Sequence, residues 1–302
     1  MRFALAGTPT PRIRAQRHVI RRRSAHMKAG LVALGAVVMF WTLLPIYNIL
    51  LIALTDDDDG GGEFSGQIWP RKPSFEGFEM IWTGGHWYLA DFWTQFGNSI
   101  IIGFGTMALT VIIGALASFA IGRMGLRRAW LIGNVSLVAY AIPSSFLVIP
   151  FARLMQIYGL SDTLTGVIAT QVTFALPYAV LILHQYGKLI PQELDDAARV
   201  DGATPAQIFR RIYLPLMAPA LAAVATYALL LAWNEYLYQY VLLSSSRNMT
   251  VAASINQFFD SDEAPWNYLM AVAVVFSLPP IAVYYALRRY MIAGLTMGGV
   301  KG

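Results

Sequence analysis

The sequence predicts an all-α integral membrane fold: six transmembrane helices with both termini in the cytoplasm. Three observations predict it. Of 302 residues, 57% are hydrophobic and 13% are charged, against roughly 25% charged in soluble domains. Six stretches free of Asp, Glu, Lys and Arg are each long enough to cross a hydrocarbon core, which takes about 20 apolar residues. The Lys and Arg residues sort onto one side of those stretches. Cysteine is absent, so disulfides, thiolate metal sites and cysteine nucleophiles are excluded. The histidines (His18, His26, His86, His184) show no metal-ligand spacing.

The six stretches lie within 29–55, 92–122, 129–152, 163–187, 212–234 and 264–287. The first follows a basic segment, but its apolar run is too long for a signal h-region and no small-residue cleavage site follows. It is expected to be an uncleaved span. The second is expected to enter lipid near Asn98, after an aromatic lead-in with Trp87, Tyr88, Phe92 and Trp93. Such aromatics favour the membrane interface. Residues 1–28 read as a basic cytoplasmic tail and 29–302 as one membrane domain. Within it, 55–97 is an outer loop, 188–215 a cytoplasmic loop and 288–302 a cytoplasmic tail.

Charge sets the orientation. The N-terminal tail carries Arg2, Arg12, Arg14, Arg17, Arg21, Arg22, Arg23 and Lys28. The second loop adds Arg123, Arg127 and Arg128; the fourth adds Lys188, Arg199, Arg210 and Arg211; the C-terminal end adds Arg288, Arg289 and Lys301. The opposite side holds only Arg71, Lys72, Arg153 and Arg247. The net charge of +5 is therefore an orientation signal and a lipid-surface contact, with no nucleic acid implied. The outer run Asp56 to Asp59, followed by Gly60 to Gly62, lacks the alternating ligands and twelfth-position Glu of an EF-hand. It reads as a solvated loop.

The fourth loop has internal structure. Pro191 suits a first helical turn, and Glu193, Asp195 and Asp196 sit where a helix dipole favours negative charge. Gly202 is a plausible terminator. Thr204-Pro205-Ala206-Gln207 reads as a capping box with proline at the first helical position. A second helix then runs through Ile208, Phe209 and Ile212 toward Pro215. In the first helix, Leu194, Ala197 and Ala198 are spaced to share a face. Two readings are open: an interfacial helix packed on its own bundle, or a docking knob for a cytoplasmic partner.

The run Asp196-Ala197-Ala198-Arg199-Val200-Asp201-Gly202-Ala203, followed by Ile212-Tyr213-Leu214-Pro215, resembles the EAA loop of bacterial ABC importer permeases. Asp196 stands where that family usually has Glu and keeps the charge. Asn98-Ser99 with Ala115 to Arg123 is similar to the family's second span, and Trp233-Asn234-Glu235-Tyr236 to its fifth. Gly294-Leu295-Thr296 with Gly298 to Gly302 resembles the tail of maltose-type permeases, so the carbohydrate branch and its second permease subunit fit best. Residues 1–26 fall outside the resemblance.

The resemblance implies a type I importer permease fold. Its short EAA helix would be a coupling helix seated on an ATP-binding subunit. Asp196, Ala197, Ala198 and Gly202 would form that contact, flanked by Arg199, Asp201 and Ala203. Gly298, Gly299, Val300, Lys301 and Gly302 would reach between the ATPase subunits. The implied partners are a second, homologous permease subunit, two copies of the ATP-binding subunit and a periplasmic sugar-binding protein, assembled in the bilayer of the inner membrane.

The chain is expected to be a transport subunit and not an enzyme. A Walker A loop needs Gly-x4-Gly-Lys followed by Ser or Thr. Gly61 to Gly66 has the glycine spacing, but Gln67 and Ile68 replace the last two residues, on the outer side. No cofactor is expected in this chain; ATP and Mg would be bound by the partner ATPase. Glu235 is the one acidic or basic residue expected at membrane depth, where such residues face an interior path or a partner. Asn234 and Tyr238 share a helix face beside it. A carboxylate, an amide and an aromatic ring suit a sugar; pairing within the complex is the other reading. Gln171 and Tyr178, with Pro143, Ser144, Ser145, Thr173 and Pro177, are further candidates for the path, the prolines as gating bends or as tolerated kinks. An intramembrane protease built on Ser161 and His184 is disfavoured, because Asp162 replaces the glycine that the nucleophile motif requires. An ATPase-independent channel or secondary transporter would need several buried ionisable residues.

Overall fold

The computed structural model describes residues 11–56, 68–70, 72–126, 129–259 and 265–297. It is helical almost throughout. α1 (Pro11–Ala53) extends the first apolar stretch back through the basic segment. From Met27 to Ile46 its large side chains are exposed all round, Trp41 and Phe40 included, as suits a helix surrounded by lipid; only its last two turns, ending in buried Ala53, are partly covered. α2 (Glu76–Thr83) is a short outer helix, and α3 (Phe92–Arg123) follows. The aromatic lead-in divides: Tyr88 and Phe92 are buried, whereas Trp87 and Trp93 remain exposed.

The third apolar stretch is not one rod. α4 (Ala129–Ala141) stops before Pro143, because a proline ring disfavours helical backbone at the residue preceding it. A 3-10 turn at Ser144–Leu147 leads into α5 (Val148–Ile157). α6 (Leu164–Gly187) continues through Pro177. α7 (Glu193–Val200) and α8 (Pro205–Leu216) form the fourth loop, and α8 meets α9 (Ala218–Asn234) at a bend of 77°. α10 (Leu237–Leu242) and α11 (Trp266–Met297) complete the chain. Among the described residues, four helices are long and apolar enough to cross a membrane, and up to five if the bent pair counts as one span. The six expected stretches are helical, but the third is divided and the fifth, 212–234, is bent at Met217.

α3 is the central helix, packed along α6 and α9. α9 also lies along α11, against which α1 and α2 pack. Close approach rests on small residues, as between helices in membranes generally. A Cβ at Gly114 would lie 3.2 Å from Leu183 and 3.4 Å from Ala179. At Gly35 in α1 it would meet nothing within 4 Å.

One outer loop is tied down by Asp162, a non-glycine residue with φ 52°. Its carboxylate accepts the amides of Ser244 (2.9 Å) and Ser245 (3.1 Å), and Asn248 donates to its carbonyl. On the same loop, Asn98 Nδ2 donates to the carbonyls of Arg247 and Met249. Partial burial pushes the Asp162 carboxyl up, but its bonds to Ser244, Ser245 and Asn248 together outweigh that and hold it below the ordinary carboxylate range.

Gly114→Leu is expected to destabilise the detergent-solubilised chain by about 1–3 kcal/mol through overpacking, read by thermal unfolding, whereas Gly35→Leu should leave unfolding unchanged. Equal effects would show that α3 and α6 do not pack as described. A depressed carboxyl keeps its tether from neutral pH down through the ordinary range near about 3.9 and loses it only as pH falls further, through the folded-state value. Asp162→Ala should therefore speed hydrogen exchange of the Ser244 and Ser245 amides at neutral pH by roughly tenfold or more; unchanged exchange would remove this tether.

Candidate functional site

The α7–α8 hairpin forms where its residues predict it, except that Pro191 lies ahead of the first turn: α7 starts at Glu193 with Gln192 as its N-cap. Thr204 Oγ1 accepts the Gln207 amide and the Gln207 side chain accepts the Thr204 amide, closing the expected capping box with Pro205 at the first helical position. α7 ends in a Schellman motif: Ala203 N–H donates to Ala198 O and Gly202 N–H to Arg199 O. Gly202 has φ 82°, which any side chain would strain. α8 continues through a π-turn at Phe209–Tyr213.

What holds the hairpin to the bundle is an ion pair. Arg123, at the end of α3, places Nη1 3.2 Å from Asp195 Oδ2, with both side chains under 5% exposed. The two are not aligned as a hydrogen bond, so the contact is one of charge. Arg123 Nη2 donates to the carbonyls of Gly187 (3.2 Å) and Ile190 (2.8 Å), closing the end of α6. The guanidinium also lies 5.8 Å from the centre of the Tyr213 ring. Tyr213 is buried, bonded through its hydroxyl to Ser118 at 2.8 Å, and a Cβ on Gly187 would come within 2.6 Å of that hydroxyl. One guanidinium thus joins α3, α6 and α7. Cavities of about 210 and 160 Å³ flank it; Gln192 lines both, with His184 and Lys188 on the first and Asp196 on the second.

The two faces of α7 differ. Asp195 is buried and Ala198 packs beneath the hairpin, beside Ile208 and Tyr213. Leu194, Ala197 and Val200 are exposed, Val200 to 88%. Leu194, Ala197 and Ala198 therefore do not share one face as the spacing implied: Ala198 belongs to the bundle and Ala197 to the outside. Asp196 is exposed and pairs with Arg199 at 2.9 Å. Asp201 is exposed and Ala203 half-buried. Sequence reasoning missed the anchor, assigning Arg123 to membrane orientation and Asp195 to the helix dipole. The run Gly298 to Gly302 lies outside the described residues, as do Asp57 to Gly62 and the Gly61 to Gly66 run.

The polar residues expected along a path are divided as well. Glu235 sits in the break between α9 and α10, where its carboxylate accepts the amides of Tyr238 (3.0 Å) and Gln239 (3.2 Å). It caps a helix and does not stand free. Tyr238 is 2% exposed and donates to Ser144 O at 2.6 Å. Gln171 is fully buried, with Thr106 donating to its Oε1 at 3.4 Å. Gln239, which the sequence did not single out, completes this interior network through Ala232 O and Thr250. Asn234 and Tyr178 stay accessible. Tyr178 packs between Tyr140 and Tyr227, two residues that nothing in the sequence pattern marked.

Comparison with known proteins places this geometry. Residues 110–296 match the family model described as "binding-protein-dependent transport system inner membrane component". The chain is 33% identical over 271 residues to the trehalose transport system permease protein SugB of Mycobacterium tuberculosis, covering 89% of this chain and 96% of that one. It is 30% identical over 285 residues to the arabinooligosaccharides transport system permease protein AraQ of Halalkalibacterium halodurans, covering 94% and 100%. Its fold is similar to a chain of a bacterial ABC transporter involved in the import of the acidic polysaccharide alginate, with a TM-score of 0.73 at 21% identity over 89% of this chain and 98% of that one. The chain belongs to the binding-protein-dependent inner-membrane components, the permease subunits of ABC transporters, which are transport components and not enzymes.

Proposed function

We propose that this chain is a six-span permease subunit, with both termini cytoplasmic, of an ATP-driven sugar importer. It would work with a related second permease, two ATP-binding subunits and a periplasmic sugar-binding protein. The observation that carries this reading is the α7–α8 hairpin: an exposed face with Leu194, Ala197 and Val200, held on a buried ion pair. A loop that served only as a linker would need no such anchor. Relatives named for trehalose and arabinooligosaccharide transport support the sugar class.

In this reading α7 seats on the ATP-binding subunit through Asp196, Ala197 and Gly202, flanked by Arg199, Asp201 and Ala203. Ala198, beneath the hairpin, sets its distance from the bundle. The C-terminal run Gly298 to Gly302 adds a second contact. ATP and Mg bind the partner. Closure of the ATPase dimer draws the α7 helices together and opens the path outward; hydrolysis and product release reset it. Force on α7 passes through Asp195 and Arg123 to α3 and α6.

Affinity purification of the tagged chain in mild detergent is expected to recover a Walker-motif ATPase and a second permease. Gly202→Val should cut ATPase recovery several-fold, because a side chain at φ 82° with open space around it costs about 1–2 kcal/mol of backbone energy alone. A chain that elutes alone from several detergents, or a Gly202→Val chain that retains its ATPase and its uptake in full, would overturn the coupling role.

A further inference from the structure

Three tyrosines from three helices meet at one depth. Tyr140 of α4 and Tyr178 of α6 have ring centres 5.7 Å apart; Tyr178 and Tyr227 of α9 lie 4.3 Å apart. Tyr140 lies eleven residues from the start of α4, and Tyr178 and Tyr227 nine residues from the hairpin ends of α6 and α9. At about 1.5 Å per residue all three sit roughly 14–17 Å from the hairpin side, the middle of a core about 30 Å thick.

That depth is wrong for lipid-facing tyrosine, which prefers the interface. Yet the cluster is open: Tyr140 is 54% exposed, and Tyr178 and Tyr227 are partly exposed. On α9, Ala223, Tyr227, Leu230 and Asn234 recur at i, i+4, i+7 and i+11, so they form one face, and Asn234 is exposed on it. Asn234 Nδ2 donates to Leu230 O at 3.0 Å; the rest of its amide, like a phenol, would cost several kcal/mol if it faced hydrocarbon without a partner. A face carrying both is suited to water and to a polar solute.

Resting on the sugar-importer reading, we propose that Tyr140, Tyr178 and Tyr227 form an aromatic shelf against which the transported sugar ring stacks at mid-membrane, with Asn234 two helical turns further along the same face. Apolar ring faces meet the tyrosine rings, and sugar hydroxyls meet the phenol groups. The shelf makes this subunit a direct contributor to substrate passage, in place of the interior residues Gln171, Glu235 and Tyr238.

The test uses the complex purified through this chain and reconstituted in vesicles. The chain has no cysteine, so Tyr227→Cys introduces its one thiol. A charged methanethiosulfonate should modify that thiol in the assembled complex, read as a mass shift of this chain, and a transported sugar should slow the modification. Trehalose, arabinotriose and diacetylchitobiose serve as probes. The binding protein sets KM, so the maximal uptake rate is the readout. Tyr178→Ala and Tyr227→Ala should lower it roughly tenfold, equal to about 1.4 kcal/mol, and Tyr178→Phe should restore most of it. A thiol that is unmodified in the assembled complex means lipid or a subunit contact and overturns the shelf. So do Ala variants with full uptake. If the unmodified complex takes up none of the probes while the thiol is modified, it is the sugar-importer reading that fails, and the shelf's sugar with it.

Discussion

The Arg123–Asp195 pair is the contact on which the cytoplasmic end of the structure depends. Removing one partner of such a pair leaves a buried charge, which costs about 3–5 kcal/mol. Arg123 is the right residue for the place, because its planar fork can serve an acid and two carbonyls at once. Its bonds to the carbonyls of Gly187 and Ile190 tie it to the end of α6 and to the turn that follows. Its contact with Asp195 fixes the rotation of α7. That rotation decides which residues are offered outward, and the split between Ala197 and Ala198 follows from it.

A second constraint acts deeper in the bundle. Helix α9 breaks at Glu235, and a broken helix in a membrane must satisfy its freed backbone groups from within. Glu235 accepts the amides of Tyr238 and Gln239, and Gln239, held by the Thr250 hydroxyl, donates to Ala232 O. The residue that its charge singled out is therefore occupied with structure. The polarity that stays accessible on these helices at Tyr140, Tyr178, Tyr227 and Asn234 is uncharged.

Much of the fold was legible in the sequence. The apolar stretches mark every long helix, and Thr204, Gln207 and Gly202 mark the hairpin because capping is local chemistry. Pro143 divides the third stretch, a proline effect that the length count alone passed over. What was illegible joins distant residues. Arg123 and Asp195 are 72 positions apart, and each has an adequate local explanation. The same holds for Tyr140, Tyr178 and Tyr227, which hydropathy scores as ordinary members of apolar helices. Glu235 was placed by its charge, whereas its partners are backbone amides that no side-chain pattern reveals.

The most direct measurement is a double-mutant cycle on the ion pair, using Arg123→Met, Asp195→Leu and the combination. The readout is hydrogen exchange at the α7 amides of the full chain in lipid nanodiscs. Each single change should loosen α7, and the combination should loosen it by less than the sum, with a coupling of about 1–3 kcal/mol. Strict additivity, or α7 amides that exchange alike in all four proteins, would contradict the view that this buried pair holds the hairpin to the membrane helices.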